Sequence, residues 1–171
     1  MFCIRPARLE DAGHLPEIER SAGQSFLQIP ALAWIASDEV QSIERHRELI
    51  EIGSAWIAET PSGEIVGFLN GETIGQTFHV WEVSVRQQAQ GQGLGRALMQ
   101  AAMAQARLDG LKAVTLTTFR QVGWNEPFYH SLGFRTLAIH ELSARLAEIL
   151  ETEVLGGLPR EARCAMALGL V

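Results

Sequence analysis

Residues 83–98 read VSVRQQAQGQGLGRAL, and the fold is decided there. The stretch Val83-Ser84-Val85 closes a strand, Gly91, Gly93 and Gly95 follow at alternating positions, and an amphipathic helix starts at Leu94. Glycine has no Cβ, so the backbone N–H groups of such a turn approach an anion closely. The first N–H groups of the helix have no partner inside it, and its dipole favours negative charge at that end. Strand, glycine turn and helix start together make a diphosphate cradle. Two other phosphate-binding patterns do not fit. A Walker A loop needs Gly-Lys-Ser/Thr, and no such triplet occurs. The dinucleotide fingerprint G-x-G-x-x-G requires a third glycine where this chain has Arg96 or, counted from Gly93, Leu98.

Working outward, Leu94 to Leu108 reads as a helix with Leu94, Leu98, Ala101, Ala102 and Leu108 on one stripe, ended by Gly110. Upstream, Phe78 to Arg86 is a strand, preceded by a hairpin of Ala55 to Glu59 and Ile65 to Leu69 around a Thr60-Pro61-Ser62-Gly63 turn. The region from Ile29 to Ile52 reads as mostly helical, broken near Ser37, with Asp38 as the cap of its second part. Leu9 to Ser21 is another helix, after a short strand from Phe2 to Arg5. Downstream come a strand at Ala113 to Phe119 and a short helix from Asn125, its cap, to Leu132. Strands at Phe134 to Ile139 and Ala162 to Leu168 enclose an additional helix at Ser143 to Val154. The order predicts an α+β (mixed α/β) sheet flanked by helices, forming one domain over residues 1–171.

Bulk properties narrow the function. The 171 residues are 47% hydrophobic and 20% charged, an ordinary globular composition, and the net charge is −6 with no basic stripe, which argues against nucleic acid. The only two cysteines, Cys3 and Cys164, form neither a disulfide framework nor a CxxC metal site, and both read as small residues buried in strands; no metal is expected. The chain turns charged within five residues of its start and has no run of about 18 apolar residues, so a cytoplasmic protein without a membrane span is expected.

Gln90-Gly91-Gln92-Gly93-Leu94-Gly95 resembles the Q/R-x-x-G-x-G/A signature of the GNAT acetyltransferase superfamily. The opening Ile4 to Ala12 and the stretch Asn125 to Phe134 resemble two further landmarks of that family, the second with slightly different spacing. The resemblance implies a mostly antiparallel twisted sheet, splayed between its fourth and fifth strands. The helical insertion before the last strand, acidic through Glu148, Glu151 and Glu153, departs from the minimal family pattern. The resemblance also implies that acetyl-CoA is held by Gln90 to Gly95, by Arg96, by the strand residues Val83, Ser84 and Val85, and by Asn125. An amine attacking a thioester needs a base, an oxyanion donor and an acid for the departing thiolate. The resemblance places Tyr129 as the acid, the Val83 N–H as the donor, and Glu82 or His79 as the base. Phe26, Trp34 and Trp124 are candidate walls for the acceptor, although core packing is the usual fate of such aromatics. The expected reaction is acetyl transfer to a primary amine of a small molecule in a ternary complex. Transfer to a protein or peptide amine, and a non-catalytic acyl-CoA-binding regulatory module, remain open alternatives, and a homodimer is an expectation of the family.

Overall fold

The chain, described in a computed structural model for all residues 1–171, begins with strand β1 (Cys3–Pro6), a 3-10 turn (Leu9–His14) and helix α1 (Leu15–Gly23). Two more 3-10 segments, Gln24–Gln28 and Pro30–Ser37, lead to α2 (Ile43–Glu51). Then follow β2 (Ala55–Glu59), β3 (Ile65–Ile74), β4 (Thr77–Val85), α3 (Leu94–Leu108), β5 (Ala113–Phe119) and α4 (Glu126–Ser131). The chain closes with β6 (Arg135–Thr136), α5 (Ala144–Leu155) and β7 (Arg163–Gly169). The strands hydrogen-bond in the order β1-β2-β3-β4-β5-β7-β6, with β4 and β5 parallel, so the mixed α/β reading holds. The chain packs as two compact units, Met1–Glu72 with Trp81–Gln105 and Thr73–Val80 with Ala106–Val171, and β4 contributes residues to both.

The first unit is built on the antiparallel β1-β2-β3 ladder, in which Ile57 lies opposite Phe68. Both are fully buried, as are Leu15 and Ile18 one helical turn apart on α1. All of Ala55 to Ala58 is buried, so β2 loses the alternation of a half-exposed strand. The Arg5 guanidinium grips both Asp11 carboxylate oxygens, at 2.8 and 3.1 Å, and reaches Glu59, tying the 3-10 turn to the strands. Close approach of β3 and β4 depends on Gly67, where a Cβ would stand 3.1 Å from the Ser84 carbonyl oxygen and 3.3 Å from Val85 Cγ2. Behind β3, the fully buried His46 sets its ring edge-on to Phe68 and takes a 3.2 Å bond at Nδ1 from the Asn70 amide, which also donates to Gln41. Burial pushes His46 down to about 4, so the ring is neutral at pH 7.

The second unit is built on the antiparallel β5–β7 ladder, which runs from Ala113↔Gly169 to Phe119↔Arg163. The insertion helix α5 buries Leu146, Ile149 and Leu150. Its Glu153 is no solvated acid: it takes two bonds from Arg163, at 2.8 and 3.2 Å, and one from Thr117, while the Arg163 guanidinium lies over the Phe119 ring.

Several local expectations need correction. Asp38 does not cap α2. That helix starts five residues later, where Ser42 Oγ accepts from the Arg45 N–H at 3.1 Å, because Pro30 sets up a separate 3-10 segment instead of a helix. The Leu9–Ser21 helix is two pieces, a 3-10 turn and α1. Leu108 is 81% exposed; two positions beyond the buried Ala106, it has rotated off the stripe. Cys3 is exposed, at the start of an edge strand, whereas Cys164 is buried in β7. The strand expected over 134–139 shortens to Arg135–Thr136.

The tight contacts at Gly67 make Gly67→Ala an expected loss of about 1–3 kcal/mol, read as a lower urea midpoint with an unchanged slope.

Candidate active site

In the first unit, the backbone leaving β4 is pinned before it reaches the glycine turn. The Arg86 N–H donates to the Val66 carbonyl at 2.7 Å, and its guanidinium reaches the Ile65 carbonyl and Glu17 at 3.3 and 3.0 Å. The Gln87 N–H donates to Ser21 Oγ on α1 at 3.0 Å. Gln90 donates its amide to the Val85 carbonyl at 3.0 Å and accepts from Ser25 Oγ at 3.2 Å. Gly91 and Gly93 then take φ of +76° and +80°, with open space where a Cβ would stand. The backbone conformation itself, not crowding, calls for glycine there. Gly91, Gln92, Gly93 and Arg96 are exposed, Leu94 anchors α3 in the core, and the Gly93 carbonyl accepts from the Ala97 N–H to close the first turn. An accessible turn with φ > 0 at the positive end of a 15-residue helix has the form of an anion cradle.

The same unit holds Glu82. Its carboxylate accepts from Ser84 Oγ, two residues on and on the same strand face, at 2.8 Å. Ser84 itself is buried. On α1, Glu19 accepts from the Gln41 N–H at 3.1 Å, and burial, reinforced by the charge of Glu82, pushes its carboxyl up to about 8. Burial and the proximity of Glu82 thus favour one proton on this pair of carboxyls over two full negative charges. Sequence reasoning missed it. The available signal was its place four residues after the buried Leu15, a stripe position where an apolar residue is the norm. Phe26 and Trp34 lie on the 3-10 segments after α1, half-buried and exposed respectively, so neither is a core aromatic.

In the second unit, His79 is buried and its Nδ1 pairs with Thr115 Oγ1 at 2.9 Å. Burial, then the charge of Arg145, holds it down at about 4, so the imidazole is neutral. Asn125 occupies the cap position of α4 without capping it. Its Oδ1 accepts instead from Thr118 Oγ1 at 2.9 Å and from the Phe119 N–H at 3.5 Å, bracing the start of α4 against the end of β5. Tyr129 is half-buried, its ring edge-on to Phe128 and Phe134 at 5.1 and 5.9 Å. Trp124, on the loop before α4, is 42% exposed.

The model of the GNAT acetyltransferase domain matches residues 51–136, a span that includes β2 to β6 and the glycine turn. The L-2,4-diaminobutyric acid acetyltransferase of Halomonas elongata is 32% identical over 109 residues, which are 61% of this chain and 54% of that protein. The chain thus spans about half the length of that curated relative. Among solved structures, the PaiA N-acetyltransferase of Thermoplasma acidophilum, in complex with coenzyme A, has a TM-score of 0.70 at 17% identity, with 99% of each chain covered. The ribosomal-protein-S18-alanine N-acetyltransferase of Escherichia coli also has a TM-score of 0.70, at 16% identity, covering 99% of this chain and 94% of that one. At such identities these structures support the fold.

The raised Glu19 pKa carries a stability signature. The folded protein holds a proton that the unfolded chain releases near pH 4.5, so this contribution is full below pH 4.5 and is lost as pH rises through 8. Glu19→Gln should therefore gain on the wild type from pH 5 to 8, by on the order of 2 kcal/mol at the upper end, in parallel urea titrations.

Proposed function

We propose, since this chain belongs to the GNAT acetyltransferase family, that it transfers an acetyl group from acetyl-CoA to the primary amine of a small molecule in a ternary complex. The observation that carries the reading is the pinned, exposed glycine turn at the start of α3. Its backbone amides suit the coenzyme's diphosphate, with Gln90 to Arg96 contributing. Residues Val83 to Val85 would lie along the pantetheine arm, adding the ligand to a strand edge. The coenzyme A held by the PaiA structure supports the same choice of co-substrate. The name of the diaminobutyric acid acetyltransferase supports a small amine as acceptor.

In this reading Glu82 is the base, acting on the acceptor ammonium directly or through water. His79 is the poorer candidate: a deeply buried imidazole held near 4 and bonded to Thr115 is a weak acceptor at neutral pH and has a structural role available. The Val83 N–H stabilises the oxyanion, and the Tyr129 hydroxyl gives its proton to the departing thiolate. The C–N bond forms as the amine lone pair attacks the carbonyl carbon, and the C–S bond breaks. Much of the rate comes from holding the two reactants together. Asn125 serves by fixing the start of α4, the helix that carries Tyr129.

Thiol release from acetyl-CoA, measured over a panel of small amines and peptides, tests the reading. Turnover with small amines is expected; turnover with peptides alone redirects it to a protein acceptor. Tight CoA binding without any turnover marks a binding module instead. Tyr129→Phe is expected to lower kcat about 100-fold while CoA affinity stays within about twofold. Glu82→Gln should abolish the low-pH limb of kcat/KM, and His79→Asn should leave that limb in place.

A further inference from the structure

The insertion does more than pack on the sheet: together with β7 it lines an open pocket of about 370 Å³ lying wholly within the second unit. Its walls are largely aliphatic, with Ile139 just before the insertion, Leu142 and Leu150 within it, and Cys164 and Ala165 of β7. The Cys164 thiol is pushed up to about 11 by burial and so stays neutral, part of an apolar floor. Ile139 is 82% exposed where it meets this cavity, an apolar edge left uncovered. The volume falls within the range of sites that hold small organic molecules.

The polar lining is unusual in its charges. Arg120, just past β5, donates from Nε to the Arg163 carbonyl at 3.2 Å, and Arg160 donates to that same oxygen at 3.4 Å. Two guanidinium groups thus converge on one acceptor, with no carboxylate in ion-pair contact with either. The third guanidinium nearby, Arg163, is neutralised by Glu153 at 2.8 Å. Arg120 spends one side-chain N–H on that carbonyl, so most of its planar fork is left to donate. Two converging cations beside apolar walls ask for an anion that accepts several N–H bonds and buries an aliphatic body. Glu161, which also lines the cavity, disfavours a dianion such as phosphate.

We propose that this cavity is a carboxylate-binding site, which takes an aliphatic monocarboxylate with its head between Arg120 and Arg160 and its body against Leu142, Leu150 and Cys164. The site stands on the second unit alone and does not depend on the acyl transfer proposed above. The carboxylate belongs either to an amino-acid acceptor or to a separate ligand, and the chemistry of recognition is the same.

Calorimetric titration of the full chain with hexanoate, hexanamide and inorganic phosphate tests it. Saturable hexanoate binding with Kd of about 1 mM is expected, with hexanamide and phosphate at least about tenfold weaker. Arg160→Gln and Arg120→Gln should each weaken hexanoate about tenfold or more. Leu142→Trp, which fills the cavity and leaves both arginines in place, should do the same, so a folding defect in one arginine variant does not decide the matter. Equal binding of acid and amide, or hexanoate affinity unmoved in folded variants, overturns the proposal. CoA affinity measured on the same samples reports separately on the glycine turn, so the two readings fail independently. If the carboxylate is the acceptor's, Arg160→Gln raises KM for amino acids and leaves their decarboxylated amines unchanged. If it is a separate ligand, both kinds of amine behave alike while hexanoate binding is still lost.

Discussion

A helix start that keeps its amides available for an anion cannot also use them to hold itself in place. The turn before α3 has this difficulty twice over, because its glycines bring backbone freedom that folding must remove. The solution is to spend the flanking side chains. Arg86 fastens the end of β4 to β3 and to Glu17, Gln87 takes Ser21 of α1, and Gln90 bridges the Val85 carbonyl to Ser25. Leu94 then sinks into the core, so α3 begins at a fixed point. The cradle is thus positioned from both sides while the amides inside it remain uncommitted. The neighbouring elements β3 and α1 matter to the turn because they accept the hydrogen bonds that Arg86 and Gln87 donate.

Burial also shifts the buried ionisable groups of both units. His46 and His79 are both held down near 4 by desolvation, so neither is a cation at neutral pH, and each has one ring nitrogen satisfied, by Asn70 and by Thr115. Glu19 moves the other way for the same reason, with the charge of Glu82 adding to it. One proton held by the pair lets Glu19 and Glu82 sit together without two full negative charges meeting. Helix α1 therefore does two things in the first unit: it anchors the glycine turn through Ser21 and supplies Glu19, whose carboxyl is pushed up by burial and by Glu82.

The parts of this arrangement legible in the sequence are those whose physics is local. Helix α3 and strand β5 begin and end where their periodicity places them, because a full apolar stripe and a run of β-branched residues each outweigh their surroundings. The glycine turn is legible for the same reason: its chemistry lies in consecutive residues. Asn125 looks like a cap from its position, yet its side chain serves the end of β5, a partner that only the fold brings near. Asp38 looks like a cap as well, and loses to Ser42 because Pro30 starts a different kind of turn upstream. Glu19 escaped notice because a carboxylate on an apolar stripe has meaning only once Glu82 is seen beside it. The convergence of Arg120 and Arg160 is legible still less, since it depends on the fold bringing Arg120 to the carbonyl of Arg163, 43 positions away.

Within the second unit the arginines divide into two kinds, and the division is informative. Arg163 has everything a buried guanidinium needs: a carboxylate in fork geometry, a hydroxyl, and an aromatic face. It fastens α5 to the sheet, and Glu153 is thereby removed from the acids available to its neighbours. Arg120 and Arg160 have only a shared carbonyl oxygen, the one that Arg163 itself presents. A carbonyl carries a partial charge and cannot neutralise two cations, so their mutual repulsion is left for solvent or an anion to offset. Were the insertion only a structural prop, the Arg163–Glu153 pair and the buried face of α5 would suffice, and aliphatic side chains would serve in place of the other two arginines at less cost in desolvation. That they are arginines, at the wall of a pocket that the insertion helps to line, is the argument that this part of the chain is built to hold something.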